Sequence, residues 1–317
     1  MKIGLMVEGQ NGLTWERWSH IVSLAEKLGF PSLFRSDHYF IGSQRDSLEA
    51  YLSFVLAARE SSRMRFGPLV TPVTFRSPVD VGRMAAQIDV LSGGRFVMGL
   101  GAGWNEAEHR VYGVRFPSSG ERLDRLEEAI NLMTALWAPG PATYPGRFYH
   151  VEGAECLPKP SSGRLPILIG GDGERRMLRL VAQYADEWNC VNLSPVAYRR
   201  KNEILERHCE AVGRDPQTIA RSMMVFGLIG PNKETVDRMT PRLMALFSAS
   251  PGTSVKEFQE RASARGMIVG QRDEVLDWLG RLAELGLQEV QFQHLDFDSD
   301  EVPEFLASEI MPKVASL

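Results

Sequence analysis

Short apolar runs and amphipathic helical patterns alternate along this chain from end to end, and no single motif constrains the fold as much. Strand-like runs fall at 2–7, 32–35, 65–70, 96–100, 167–169, 188–191, 222–229 and 289–293. The segments between them carry apolar residues at helical spacing, as Trp18, Ile21, Val22, Ala25 and Leu28 do within 14–28. That spacing buries one stripe of a helix. Parallel strands need crossover connections, so strands separated by helices build a parallel sheet. Eight such units predict an α/β fold in which a single (β/α)8 TIM barrel occupies residues 1–317; an open doubly wound sheet is the alternative. Two stretches break the rhythm and read as insertions. Residues 138–165 hold five prolines and four glycines and are expected to carry a short hairpin near 144–151. Residues 248–267 form the second insertion.

Composition narrows the partners. The 36 basic and 40 acidic residues leave a net charge of −4, with no long single-sign run. Nucleic acid is therefore not an expected partner, because phosphate backbones call for a basic face. No apolar run approaches the ~20 residues needed to span a bilayer, and no membrane partner is expected. Cys156, Cys190 and Cys209 lack metal-ligand spacing and cannot all pair, as in a reducing cytoplasm. The expected partner is a small molecule, with no metal site.

In such a barrel, chemistry gathers where the strands end. Glu8 follows the first run, Ser36-Asp37-His38-Tyr39 the second, and Thr71 the third. The fourth ends in Gly99-Leu100-Gly101-Ala102-Gly103-Trp104, with Asn105, Glu106, Glu108 and His109 beyond it. Bare backbone at these glycines leaves room for a flat ligand, although their spacing does not match the dinucleotide fingerprint. After the fifth run, Gly170-Gly171-Asp172-Gly173 leads into a helix expected to open at Glu174. Bare amides and the helix dipole there suit a phosphate, and a tight turn alone would explain the same glycines. Trp188 and Asn189 end the sixth run. His38 ends a strand beside Asp37, and imidazole titrates near neutrality, so the pair either carries a proton or caps a turn. His109 with Glu106 is a second acid–base pair or a solvated helix start. Tyr39, Trp104 and Trp188 can wall an apolar pocket.

These residues resemble a known family. RSDHY at 35–39, LVTPVTFRSP at 69–78, LSGGRFVMGLGAGWNEAEHRVYG at 91–113 and ILIGGDGERRMLRLVAQYADEWN at 167–189 are similar to segments of the luciferase-like oxidoreductases that use flavins or deazaflavins. The resemblance covers essentially the whole chain and implies the same barrel. It implies hydride transfer between coenzyme F420 and an organic substrate. An FMN-dependent monooxygenase using O2 is the second reading, and a non-catalytic flavin-binding relative the third. It further implies that His38 and Asp37 sit at the reactive ring and carry the proton. A non-proline cis peptide near Leu69–Val70, followed by Thr71, would back that ring, and Gly101 and Gly103 would approach it. Gly170, Gly171, Asp172 and Gly173 would hold the phosphate. The substrate then faces Glu8, Tyr39, Trp104, Trp188 and Asn189. In the sugar-phosphate dehydrogenase branch a catalytic glutamate follows the glycines; Trp104 stands there in this chain, which argues against a sugar-phosphate substrate. Dimers are common in the family, so a homodimer is expected.

Overall fold

Short polar side chains start the helices where the sequence punctuates them. Thr14 accepts from the Arg17 amide at 3.3 Å, Ser118 from Glu121 at 3.2 Å and Ser194 from Ala197 at 3.3 Å, each satisfying an amide that has no partner within its helix. Gly29 and Gly93, at φ +80° and +68°, end two helices in the left-handed conformation that only glycine adopts freely. The computed structural model describes residues 1–42, 44, 45, 47–247 and 249–316. Ser248, at the edge of the second insertion, and Leu317 lie outside the described residues.

The elements run β1 (Lys2–Val7), α1 (Trp15–Leu28), β2 (Ser32–Arg35), α2 (Ala50–Glu60), β3 (Arg65–Pro68), β4 (Thr71–Pro72), α3 (Pro78–Ser92) and β5 (Met98–Gly101). Then come α4 (Glu106–Val111), α5 (Ser119–Trp137), β6 (Ala142–Pro145), β7 (His150–Ala154), β8 (Ile167–Gly170), α6 (Met177–Tyr184), β9 (Glu187–Val191) and α7 (Pro195–Ala211). The chain continues through β10 (Ala220–Val225), β11 (Gly227–Ile229), α8 (Lys233–Leu246), α9 (Val255–Ala264), β12 (Ile268–Gly270), α10 (Arg272–Ala283) and β13 (Glu289–His294). Short helical turns close it.

The main sheet has the order β3-β2-β1-β13-β10-β9-β8-β5-β4, and its paired neighbours are all parallel. β3 and β4 are the two halves of one strand, interrupted at Leu69–Val70. One half pairs with β2 and the other with β5, so the sheet curls back on itself as a TIM-barrel-like fold. A parallel bridge between Phe66 and Phe96 draws the same seam together. The first insertion contains the expected antiparallel hairpin, β6 with β7. The expected strand at 222–229 divides: β10 stays in the barrel, while β11 leaves it to pair with β12, which directly follows the second insertion. The barrel interior is apolar on one side, through Met6, Phe34, Leu69, Val97, Leu168 and Met224. On the other side Asn189 donates to Ser222 Oγ at 2.8 Å and to Gln291 Oε1 at 3.0 Å. None of the described helices is long and apolar enough to cross a membrane.

Candidate active site

The strand ends surround a cavity of about 1150 Å3. Leu69 and Val70 line its floor, and the peptide bond between them is cis. The neighbouring glycines serve this floor. A Cβ on Gly101 would stand 2.5 Å from Val70 Cγ2, and one on Gly170 would stand 2.8 Å from Val70 Cγ1. Val70 thus fills the space that two missing side chains leave open, and the flat surface belongs to the strand-three break as much as to the strand-five glycines. Gly103, at φ +77°, turns the chain out of the strand.

Alternation along the exit of β2 decides which polar groups reach the cavity. Successive side chains in extended backbone point to opposite faces. Ser36 and His38 line the cavity, whereas Arg35 and Asp37 point outward toward α2 and the start of α3. Arg35 donates to Ser53 Oγ and the Leu48 carbonyl. Asp37 accepts from Arg76 at 2.5 and 2.9 Å and from the Thr71 hydroxyl at 2.8 Å. The expected pairing of Asp37 with His38 is therefore not made, and neither Asp37 nor Thr71 lines the cavity.

The partner of His38 is Glu108, seventy residues further along. His38 Nδ1 lies 2.8 Å from Glu108 Oε2. Glu108 Oε1 accepts from the amides of Tyr39 and Phe40 at 2.6 and 3.0 Å. This carboxylate is wholly buried, so its charge requires these donors. With Nδ1 donating to a carboxylate, neutral His38 carries its lone pair on Nε2. Burial opposes the charged imidazole, but the hydrogen bond to Glu108 and the nearby Glu8 carboxylate outweigh it and hold His38 above its ordinary value. Trp104, 64% exposed, meets the His38 ring edge-on at 5.4 Å.

Glu8 lines the same cavity and is almost fully buried. Gln10 and Gln293 each donate to it at 2.7 Å, and Gln10 in turn accepts from Ser36 at 2.9 Å. The opposite end of the cavity is cationic, with Arg122, Arg175, Arg176 and Lys201 on its wall. The Gly170–Gly173 loop lies there. Helix α6 begins at Met177, three residues later than expected, because 174–176 form a turn. Asp172 faces Lys201, whose Nζ is 3.2 Å from its carboxylate and 2.7 Å from its carbonyl. That pairing removes the repulsion Asp172 would otherwise offer a phosphate.

Three other expectations change. Trp188 points outward from β9, stacked on Tyr198 at 5.8 Å and fully buried, while its neighbour Asn189 lines the cavity. Tyr39 stacks between Phe75 and Tyr112 at 4.7 and 4.5 Å and does not line the cavity either. His109 is buried with both ring nitrogens engaged, by Thr74 Oγ1 at 2.6 Å and the Asn105 carbonyl at 2.7 Å. Glu106 is exposed. The acid–base pair of His109 with Glu106 is therefore not made. Among the described residues no three His, Cys, Asp or Glu side chains gather as a metal site.

A parallel barrel with a backbone floor, one oriented histidine and a cationic glycine loop defines a class of cofactor-binding oxidoreductases. The model of the luciferase-like monooxygenase family matches residues 1–289, and the chain belongs to that family. An F420-dependent glucose-6-phosphate dehydrogenase of Microbacterium testaceum is 29% identical over 311 residues, covering 92% of this chain and 91% of the relative. An F420-dependent secondary alcohol dehydrogenase, solved in complex with an F420–acetone adduct, superposes with a TM-score of 0.82 at 21% identity over 98% of both chains. A monooxygenase from Streptomyces bottropensis gives 0.84 at 18% identity over 99% of both. These structures share the barrel described above.

Proposed function

We propose that the chain is an oxidoreductase that transfers hydride between coenzyme F420 and a small organic substrate. The carrying observation is His38, placed at a cavity by a buried carboxylate that sets its tautomer. Coenzyme F420, when bound, supplies a two-electron hydride carrier. The residues present fit it: Leu69 and Val70 would support the ring, with Val70 seated in the space that Gly101 and Gly170 leave, Gly103 would line the cavity beside them, and Gly170, Gly171, Asp172 and Gly173 with Lys201, Arg175 and Arg176 would hold its phosphate. His38 exchanges a proton at Nε2, and Glu108 holds the resulting imidazolium. Glu8, Trp104 and Asn189 line the remaining space and would orient the substrate.

The sugar phosphate of the Microbacterium relative is not carried over to this chain. Trp104 occupies the position of the branch's glutamate, and the four cavity-lining cations all lie at the end assigned to the coenzyme. An FMN-dependent monooxygenase is the second reading, supported by the description of the family itself. Titration of the purified protein with each cofactor, followed by tryptophan fluorescence, separates the two. F420 is expected to bind tightly and FMN weakly, and the reverse order would sink the first reading.

The outer face of α2 and α3 exposes Leu52, Val55, Val90 and Leu91, and a second copy packing there would make the homodimer. A single-chain mass in sedimentation would end that proposal. Three buried free cysteines and the balanced charge support a cytoplasmic enzyme without a nucleic-acid partner.

A further inference from the structure

A second cavity of about 450 Å3 lies beside the first and shares Val191, Phe226 and Phe247 with it. Its far wall is built by the second insertion, through Thr253, Phe258, Ala262 and Met267. Phe226 and Phe247 meet edge to face at 5.2 Å where the two spaces join. Phe258 and Met267 are fixed from behind by packing on Leu228, Val236, Met239 and Leu243, so this wall is anchored. The chamber has seven apolar lining residues and five polar ones, Asn192, Ser250, Thr253, Arg261 and Arg265. Asn192 accepts from the Phe226 amide at 3.0 Å, and Arg261 is paired with Glu257 at 2.6 Å. Val191 and Phe247 remain 44% and 46% exposed at the junction, apolar surface turned toward an open concavity. Apolar side chains lining a concavity suit an apolar ligand group.

The main cavity already holds both the phosphate end and the His38 end, yet the adjoining chamber is pocket-sized in its own right, within the range of roughly 300–1,000 Å3 seen for ligand sites. We propose that the side chamber is a subsite for the apolar tail of an elongated substrate. The tail passes Phe226 and Phe247 and ends against Phe258 and Met267, while the reacting carbon stays at His38. The inference rests on the proposed function only in placing that carbon, and it names the substrate class as a long, uncharged, largely aliphatic alcohol or its carbonyl partner.

The test uses the full chain and a homologous series from butan-2-ol to decan-2-ol, read by displacement of the neutral fluorophore N-phenyl-1-naphthylamine. Binding should tighten by up to about fourfold for each methylene buried. Thr253→Trp and, independently, Ser250→Trp place bulk in the chamber from its loop wall. Each should weaken decan-2-ol by about tenfold or more, the loss of two buried methylenes, and leave butan-2-ol unchanged. F420 affinity, measured separately, should be unaltered. Equal decan-2-ol affinity in both variants and the native chain, with F420 binding intact, would overturn the subsite. Failure of the native chain to bind F420 would instead remove the proposed cofactor, while the chain-length comparison still decides the chamber.

Discussion

The two ends of the barrel interior use charge in opposite ways. At the N-terminal end, Arg65 on β3 reaches across to Glu187 on β9 at 2.5 Å and Glu289 on β13 at 2.6 Å, and Ser32 donates to the latter at 2.5 Å. Burial opposes the guanidinium charge there, yet the two carboxylates raise its proton affinity. At the C-terminal end, Glu8 is held by two neutral amides and Glu108 by two backbone amides and an imidazole. A carboxylate locked by a cation fixes structure. One satisfied by neutral donors keeps its field available to a neighbour that can change protonation. Barrels generally keep stability at the bottom face and chemistry at the top, and this division shows how the same residue types serve both.

The contrast can be broken at either end. The largest effect is expected from His38→Ala, which should lower kcat by about 10²–10⁴-fold, the range of a general acid–base, with F420 affinity retained. Unchanged turnover under saturating substrate would remove His38 from the chemistry. Next, Arg65→Ala strands two buried carboxylates and should cost about 3–5 kcal/mol of stability, read by urea unfolding; a loss under about 1 kcal/mol would show that the ends do not differ. Third is Glu108→Gln, which keeps an acceptor for the Tyr39 and Phe40 amides but presents a donor to His38 Nδ1. The lone pair then moves to Nδ1 and Nε2 carries the proton. Nε2 can then no longer accept, so turnover should fall into the range of about 10²–10⁴-fold given for His38→Ala; turnover within about threefold of the native chain would show that Glu108 does not set the tautomer.

That last change also has a defined sign in pH. The His38 pairing contributes stability fully present below the unfolded imidazole value of about 6.5, and it is lost as pH rises through the raised native value. Removing the carboxylate lowers the native value, so the His38 ring resonances should titrate at lower pH in Glu108→Gln. A titration that stays put would sink the pairing as the cause.

Much of this was legible in the sequence because it depends on local pattern. The alternating periods, the helix caps and the two insertions follow from residues within a few positions of one another, and the strand-end rule then places Glu8, His38 and the glycine loops at one mouth. What was not legible depends on distant partners. Asp37 looked like the partner of His38 because it is adjacent, but the two-residue period of extended backbone sends adjacent side chains to opposite faces. The same parity separates Trp188 from Asn189. Applied strictly, it would have freed His38 from Asp37, though it could not have supplied Glu108. That choice depends on how α4 folds back over the exit of β2, as the similar chemistry of Glu106 and Glu108 in one short helix makes plain. The role of Val70 was hidden for a related reason, since the space left by Gly101 and Gly170 is occupied by a residue from another strand.

One carboxylate of this site holds two things at once. Glu108 fixes the path of the chain at Tyr39 and Phe40 with one oxygen and the proton position on His38 with the other. The path of the chain after β2 and the tautomer of the proposed base are thus a single mechanical variable. A substitution that moves the backbone at Tyr39 and Phe40 would change the proton position on His38 without touching it.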